Sequence, residues 1–170
     1  MRDLHPAFAP VAAEMLRRCN AKGVPIYVYC TWRSPERQLE LWQQGRDDTG
    51  RRTPGGRVVT NAKPGDSKHN TVVAGKKPAS EAFDAVPQEI LDERSGVPLR
   101  YKLDWTPFYR KEDERPFRES GDLELLDPRW RVMVQVAEAL EIEWAGRWTG
   151  SLIEYVHWQR PGKTLGDLHV

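Results

Sequence analysis

Two periodicities alternate along this chain, and neither kind of segment is long or apolar enough to fold by itself. Phe8, Val11, Met15 and Cys19 recur at three- and four-residue steps, the spacing of one helix face, and Gly23 follows as a stop. This helix is expected to start at Pro6 or Pro10 and end at Lys22, because proline is tolerated only in a first turn. Ile26, Val28 and Cys30 then alternate with Tyr27, Tyr29 and Thr31, the period of a strand. Ser34 before Pro35 is an N-cap with proline at the first helical position, and it opens a second helix through Leu39 and Trp42 to Gly45. Residues 82–86 read as a strand, as does the alternation Leu99, Tyr101, Leu103, Trp105 after a charged turn at 92–96. Asp127 and Pro128 repeat the cap-plus-proline start for a helix carrying Trp130, Met133, Val134, Ala137 and Leu140, and a last strand is predicted over 155–159. Residues 46–66 are expected to be loop with a short extended piece at 58–60, and 106–121 a surface excursion. The pattern is α+β: a single compact domain over residues 1–170, with helices packed on a small, mainly antiparallel sheet.

Charge narrows the partners. With 26 Lys and Arg against 25 Asp and Glu, the formal charge is +1, which argues against a dedicated nucleic-acid binder. Between Arg46 and Lys77, however, eight basic residues face three aspartates, enough local potential to draw in a polyanion or simply to form a solvated loop face. No stretch approaches the roughly 20 apolar residues of a membrane span. The first 20 residues are too broken by charge and proline for a signal peptide, so the chain reads as a soluble, monomeric protein made in the cytoplasm. Cys19 and Cys30 fall at apolar-face positions and are expected to be buried free thiols without function.

The chemistry-bearing residues are few. His69 is one of four histidines, and Asp84 sits inside the apolar run 82–86. Downstream, Glu154 stands three residues before His157. Two imidazoles and one carboxylate make a three-ligand zinc set with a fourth position left for water, and a further carboxylate is what a metal hydrolase needs to take a proton from it. Spacing alone does not join them. Gly75 to Pro78 reads as a turn that could fold His69 and Asp84 together. In a continuous strand, Glu154 and His157 would point to opposite faces, so they can share a site only across a turn or a helical stretch. Arg33, at the end of the first strand, could hold a carboxylate or a developing oxyanion, or make a surface ion pair with Glu36 or Glu40.

Three blocks in order carry a resemblance. The first is Arg33, Ser34, Gln38, Leu41, Trp42 and Gly45. The second runs from Thr60 through Asn61, Ala62, Lys63, Pro64 and Gly65 to Ser67, His69 and Asn70, followed by Ala82, Phe83 and Asp84. The third is Trp144, Gly146 and Trp148, then Glu154 and His157. Over about residues 6–160 the chain resembles the zinc D-alanyl-D-alanine carboxypeptidases and dipeptidases, and especially phage endolysins that cut the L-alanyl-D-glutamate bond of peptidoglycan. The resemblance implies one zinc per chain on His69, Asp84 and His157, with Glu154 as general base and Arg33 stabilising transition-state charge. It also implies that Ser67 supports the ligand loop from behind and that Gln38 and Asn70 serve substrate or ligands. The implied substrate is the peptidoglycan stem peptide, with no nucleic acid, no membrane insertion and no separate wall-binding domain. A phage-encoded enzyme made in the cytoplasm and acting on the wall after release is the expected setting.

Two departures from that family stand out. An insertion at 71–80 lengthens the path from His69 to Asp84, leaving Asp66 as a fallback ligand, and Glu81 stands where a small residue is common. A D-alanyl-D-alanine carboxypeptidase is the nearest rival reading, and a wall-binding module with a vestigial metal site is the rival outside enzymes.

Overall fold

The computed structural model describes residues 1–74, 76–92, 100–149 and 153–168. Helix α1 spans Ala9–Ala21, with Pro10 inside its first turn, and buries Ala12, Met15 and Cys19. Strand β1, Ile26–Cys30, follows. Helix α2, Pro35–Gln43, begins where the Ser34 hydroxyl accepts from the Arg37 amide. A hairpin of β2, Thr71–Val73, and β3, Lys77–Pro78, leads to the long strand β4, Ala82–Asp92, which pairs with β5, Arg100–Leu103. The expected turn and Leu99 fall largely at 93–99, outside the described residues. Helices α3, Glu114–Ser120, and α4, Pro128–Glu138, precede β6, Glu143–Trp144; β7, His157–Gln159, and β8, Asp167–Leu168, close the chain.

The main sheet runs β1-β4-β7-β6, antiparallel throughout, with β5 pairing farther along β4. One face of β4, through Phe83 and Ala85, joins a core with Phe8 and Met15 of α1 and Trp130, Met133 and Val134 of α4. Trp158 packs against both Trp130 and Trp144, with ring centroids 6.2 and 5.8 Å away. Asp84 takes the other face. The fold is therefore α+β as the periodicities predict, and among the described residues no helix is long and apolar enough to cross a membrane.

One sequence expectation fails. Residues 106–121 are no excursion: Phe108 and Phe117 are buried, pack against each other at 5.6 Å, and bring α3 onto the core. Charged residues around them hid that pair. The insertion turns back on itself as expected, and the turn joins two short strands. Its β2–β3 hairpin is joined by β8 into a second small sheet. Glu81, just past the insertion, is fully buried and explains why a large acid is accepted there. Its carboxylate accepts from Arg160 Nε at 2.6 Å and from the Leu165 and Gly166 amides, while Lys68 Nζ donates to the Arg160 and Gly162 carbonyls. Glu81→Ala is expected to cost about 3 kcal/mol, the low end for breaking a buried pair because Arg160 still reaches solvent. In thermal unfolding that is a drop of roughly 6–12 °C; a change within 1 °C would show that Glu81 anchors nothing.

Candidate metal centre and its cleft

The antiparallel register brings the site together. Asp84 on β4 lies opposite His157 on β7 and opposite Cys30 at the end of β1. Directly opposed residues share a sheet face within side-chain reach. His69 arrives from outside the sheet, on a 3-10 turn over Lys68–Asn70 whose cap, the Ser67 hydroxyl, accepts from the His69 amide. That turn is tied to the strand end by Arg33 N donating to His69 O at 3.0 Å and by Asn70 Nδ2 donating to Arg33 O at 2.8 Å.

Three atoms converge. His69 Nε2 is 3.1 Å from Asp84 Oδ1 and 3.1 Å from His157 Nδ1, and the third edge, His157 Nδ1 to Asp84 Oδ1, is 3.2 Å. Donors around tetrahedral zinc, each about 2.0–2.1 Å from the ion, stand roughly 3.3–3.4 Å apart. The triangle matches one face of such a tetrahedron to within a few tenths of an ångström, and its donor set suits zinc. His69 Nδ1 meets the Thr31 carbonyl, which can only accept, so that nitrogen carries a proton and Nε2 is the one turned to the triangle.

Without a cation the cluster holds itself as an ion pair. Burial disfavours charge on His69, but Asp84's carboxylate overrides it and holds the imidazole well above its ordinary range. Burial likewise opposes the Asp84 anion, yet the two imidazoles hold its carboxyl far below the usual range. A metal cation would replace the imidazolium proton as the partner of that buried charge.

Arg33 reaches into the cluster. Its Nη2 donates to Asp84 Oδ2 at 2.9 Å and its Nη1 to Gln38 Oε1 at 2.8 Å. Gln38 is fully buried and in turn donates to the Ala62 carbonyl at 2.7 Å, so it braces Arg33 and cannot touch substrate. Asn70 is buried too and accepts from the Gly65 amide. Asp66 is exposed and accepts from the Lys63 amide, outside the cluster.

A turn joins Glu154 to His157. The His157 amide donates to the Glu154 carbonyl at 3.0 Å, and β7 begins only at His157, two residues later than the alternation predicts. Trp144 Nε1 pins the Tyr155 carbonyl at 2.6 Å, and the Tyr155 hydroxyl donates to Glu114 Oε1 of α3 at 2.8 Å. The misread segment 106–121 thus supports this turn. Gly146 is required beside it, since a Cβ there would stand 2.3 Å from the Trp144 indole.

The cluster opens into a cleft of about 810 Å³, lined among others by Asp84, Arg33, Glu154, Tyr29, Arg57 and Trp105. Gly45 shapes its far wall: at φ +73° it packs so close to the 57–58 backbone that a Cβ would meet Arg57 C at 2.6 Å. Cys30 is a correction. It is half-buried and lines the cleft, its Sγ lying within 4.8 Å of donors on His69 and Asp84, a looser set than the two-imidazole triangle. Burial would raise its thiol, but the hydrogen bond and charge of His69, with Arg33, bring it below its ordinary value. Its place at the strand end, three residues before Arg33, was the available signal. Tyr29 was missed as well; burial, then the neighbouring Asp84, Cys30 and Glu154, push its hydroxyl up, so it stays protonated.

Comparison with known families adds one finding. Residues 1–76 match the VanY family model, D-alanyl-D-alanine carboxypeptidase. The VanY match takes in Arg33, Ser67, His69 and Asn70 and stops before Asp84, Glu154 and His157. No curated protein matches the chain.

Proposed function

We propose that this chain is a zinc peptidase that hydrolyses a peptide bond in the stem peptide of peptidoglycan. The reading is carried by the triangle of His69 Nε2, Asp84 Oδ1 and His157 Nδ1, with edges of 3.1–3.2 Å, beside a cleft whose wall bears Glu154. His69, Asp84 and His157 would hold one zinc per chain, which when bound lowers the pKa of a water to about 7 and polarises a carbonyl. Glu154 serves as general base, its carboxylate taking the proton of the attacking water and later giving it to the leaving amine. Arg33 fixes Asp84 and sets its guanidinium on the cleft wall, where negative charge develops during attack. The Tyr29 hydroxyl offers a further donor on the same wall.

Within this reading the bond is L-alanyl-D-glutamate, cut internally, as in the phage endolysins that the three sequence blocks resemble. The enzyme is then made in the cytoplasm and meets the wall after release. D-alanyl-D-alanine carboxypeptidase is the second reading, favoured by the description of the matched family. Mass spectrometry of purified peptidoglycan after digestion separates them. New D-glutamate amino termini support the endopeptidase, release of free D-alanine supports the carboxypeptidase, and an intact wall overturns both in favour of a wall-binding module.

A further inference from the structure

The third sequence block holds a feature that the ligand set does not use. Glu143 and Gln159 are directly opposed in the β6–β7 register, and Gln159 lies two residues after His157, on the same strand face. Trp148 follows the 3-10 turn over Ala145–Arg147 and sets its ring 5.4 Å from the His157 imidazole. Four side chains then form a hydrogen-bonded chain: Trp148 Nε1 to Glu143 Oε1 at 2.6 Å, Gln159 Nε2 to Glu143 Oε2 at 2.8 Å, and His157 Nε2 to Gln159 Oε1 at 3.1 Å.

The direction of this chain follows from its far end. An indole N–H only donates and a carboxylate only accepts. The Gln159 group facing Glu143 must therefore be the NH₂, so the group facing His157 is the carbonyl oxygen. That oxygen demands a proton on His157 Nε2, which leaves the lone pair on Nδ1, the vertex of the triangle. We propose that Glu143 and Trp148 are positioning residues that fix, through Gln159, which nitrogen of His157 is free to bind the cation. The proposal rests on the zinc reading and extends it to residues that touch neither metal nor substrate. Orienting partners of this kind are commonly worth 10–100-fold in metal affinity.

Glu143→Gln is isosteric but breaks the logic. If the new amide turns its oxygen to Trp148, its NH₂ faces Gln159. The Gln159 amide must then invert, and the inverted amide puts the proton of His157 on Nδ1. Adding Gln159→Glu restores the direction, because a carboxylate at 159 accepts from both His157 and the amide at 143. The test is a zinc titration of the full chain, freed of metal, against a competing chromophoric chelator, with thermal unfolding of each metal-free variant. Glu143→Gln and Gln159→Leu are expected to bind zinc about 10–100-fold more weakly, with metal-free chains that still unfold cooperatively, about 2–4 °C below native for a lost hydrogen bond. The double variant Glu143→Gln/Gln159→Glu is expected to regain most of the loss, a coupling that packing alone does not give. Native-like affinity in both single variants, or a double variant weaker than either, overturns the proposal. A native chain that takes up no zinc overturns the zinc reading and this one together.

Discussion

Glu154→Gln is expected to keep one zinc per chain and to lose about two to four orders of magnitude in kcat, the range for a positioned general base. The substitution keeps the size and polarity of the side chain and removes only its ability to take a proton. Glu154 is outside the donor triangle, half-buried on the cleft wall, and its backbone rather than its carboxylate holds the turn to His157. Metal content and fold should therefore be unchanged while the rate collapses. Metal analysis of the purified variant, alongside its rate of peptidoglycan cleavage, checks both halves. A variant with native rate removes Glu154 from the mechanism.

His157→Ala carries the other large effect. It deletes one vertex of the triangle and leaves His69 and Asp84, with Asp84 Oδ2 still clamped by Arg33. Zinc affinity should fall by more than about 100-fold, beyond what losing a supporting partner costs, and activity should vanish with it. His157 is buried at the end of a short strand. Circular dichroism of the variant is expected to keep its native form, which separates a lost ligand from a lost fold. Stoichiometric zinc in a folded His157→Ala chain contradicts a ligand role.

Much of the architecture was legible because it rests on local signals. Period-two alternation at 26–30 and the Ser34 and Asp127 caps mark elements that form where the pattern puts them, although α2 buries Gln38 and leaves Leu39 exposed. Segment 106–121 was opaque because Phe108 and Phe117 are scattered among charges, and their partners, each other, Tyr155 and Trp144, meet them only in the folded chain. Residue types at the site were visible, but their meeting was not. Asp84 reaches His69 because the insertion folds into a hairpin that returns the chain to β4; the turn expected at 75–78 allowed that return, but nothing local specified where it ends. Glu154 and His157 looked opposed under strand geometry, and a turn held by Trp144 and Tyr155 resolves them. Arg33 was readable as a site residue, whereas its clamp on Asp84 depends on a contact 51 positions away. The Glu143 relay was invisible for the same reason, since its direction exists only once β6 lies beside β7.

Anomalous diffraction at the zinc edge, on crystals of the purified chain, bears most directly on all of this. One peak is predicted, within about 2.0–2.2 Å of His69 Nε2, Asp84 Oδ1 and His157 Nδ1. A chain grown with zinc that shows no peak there, or binds it only elsewhere, contradicts the account.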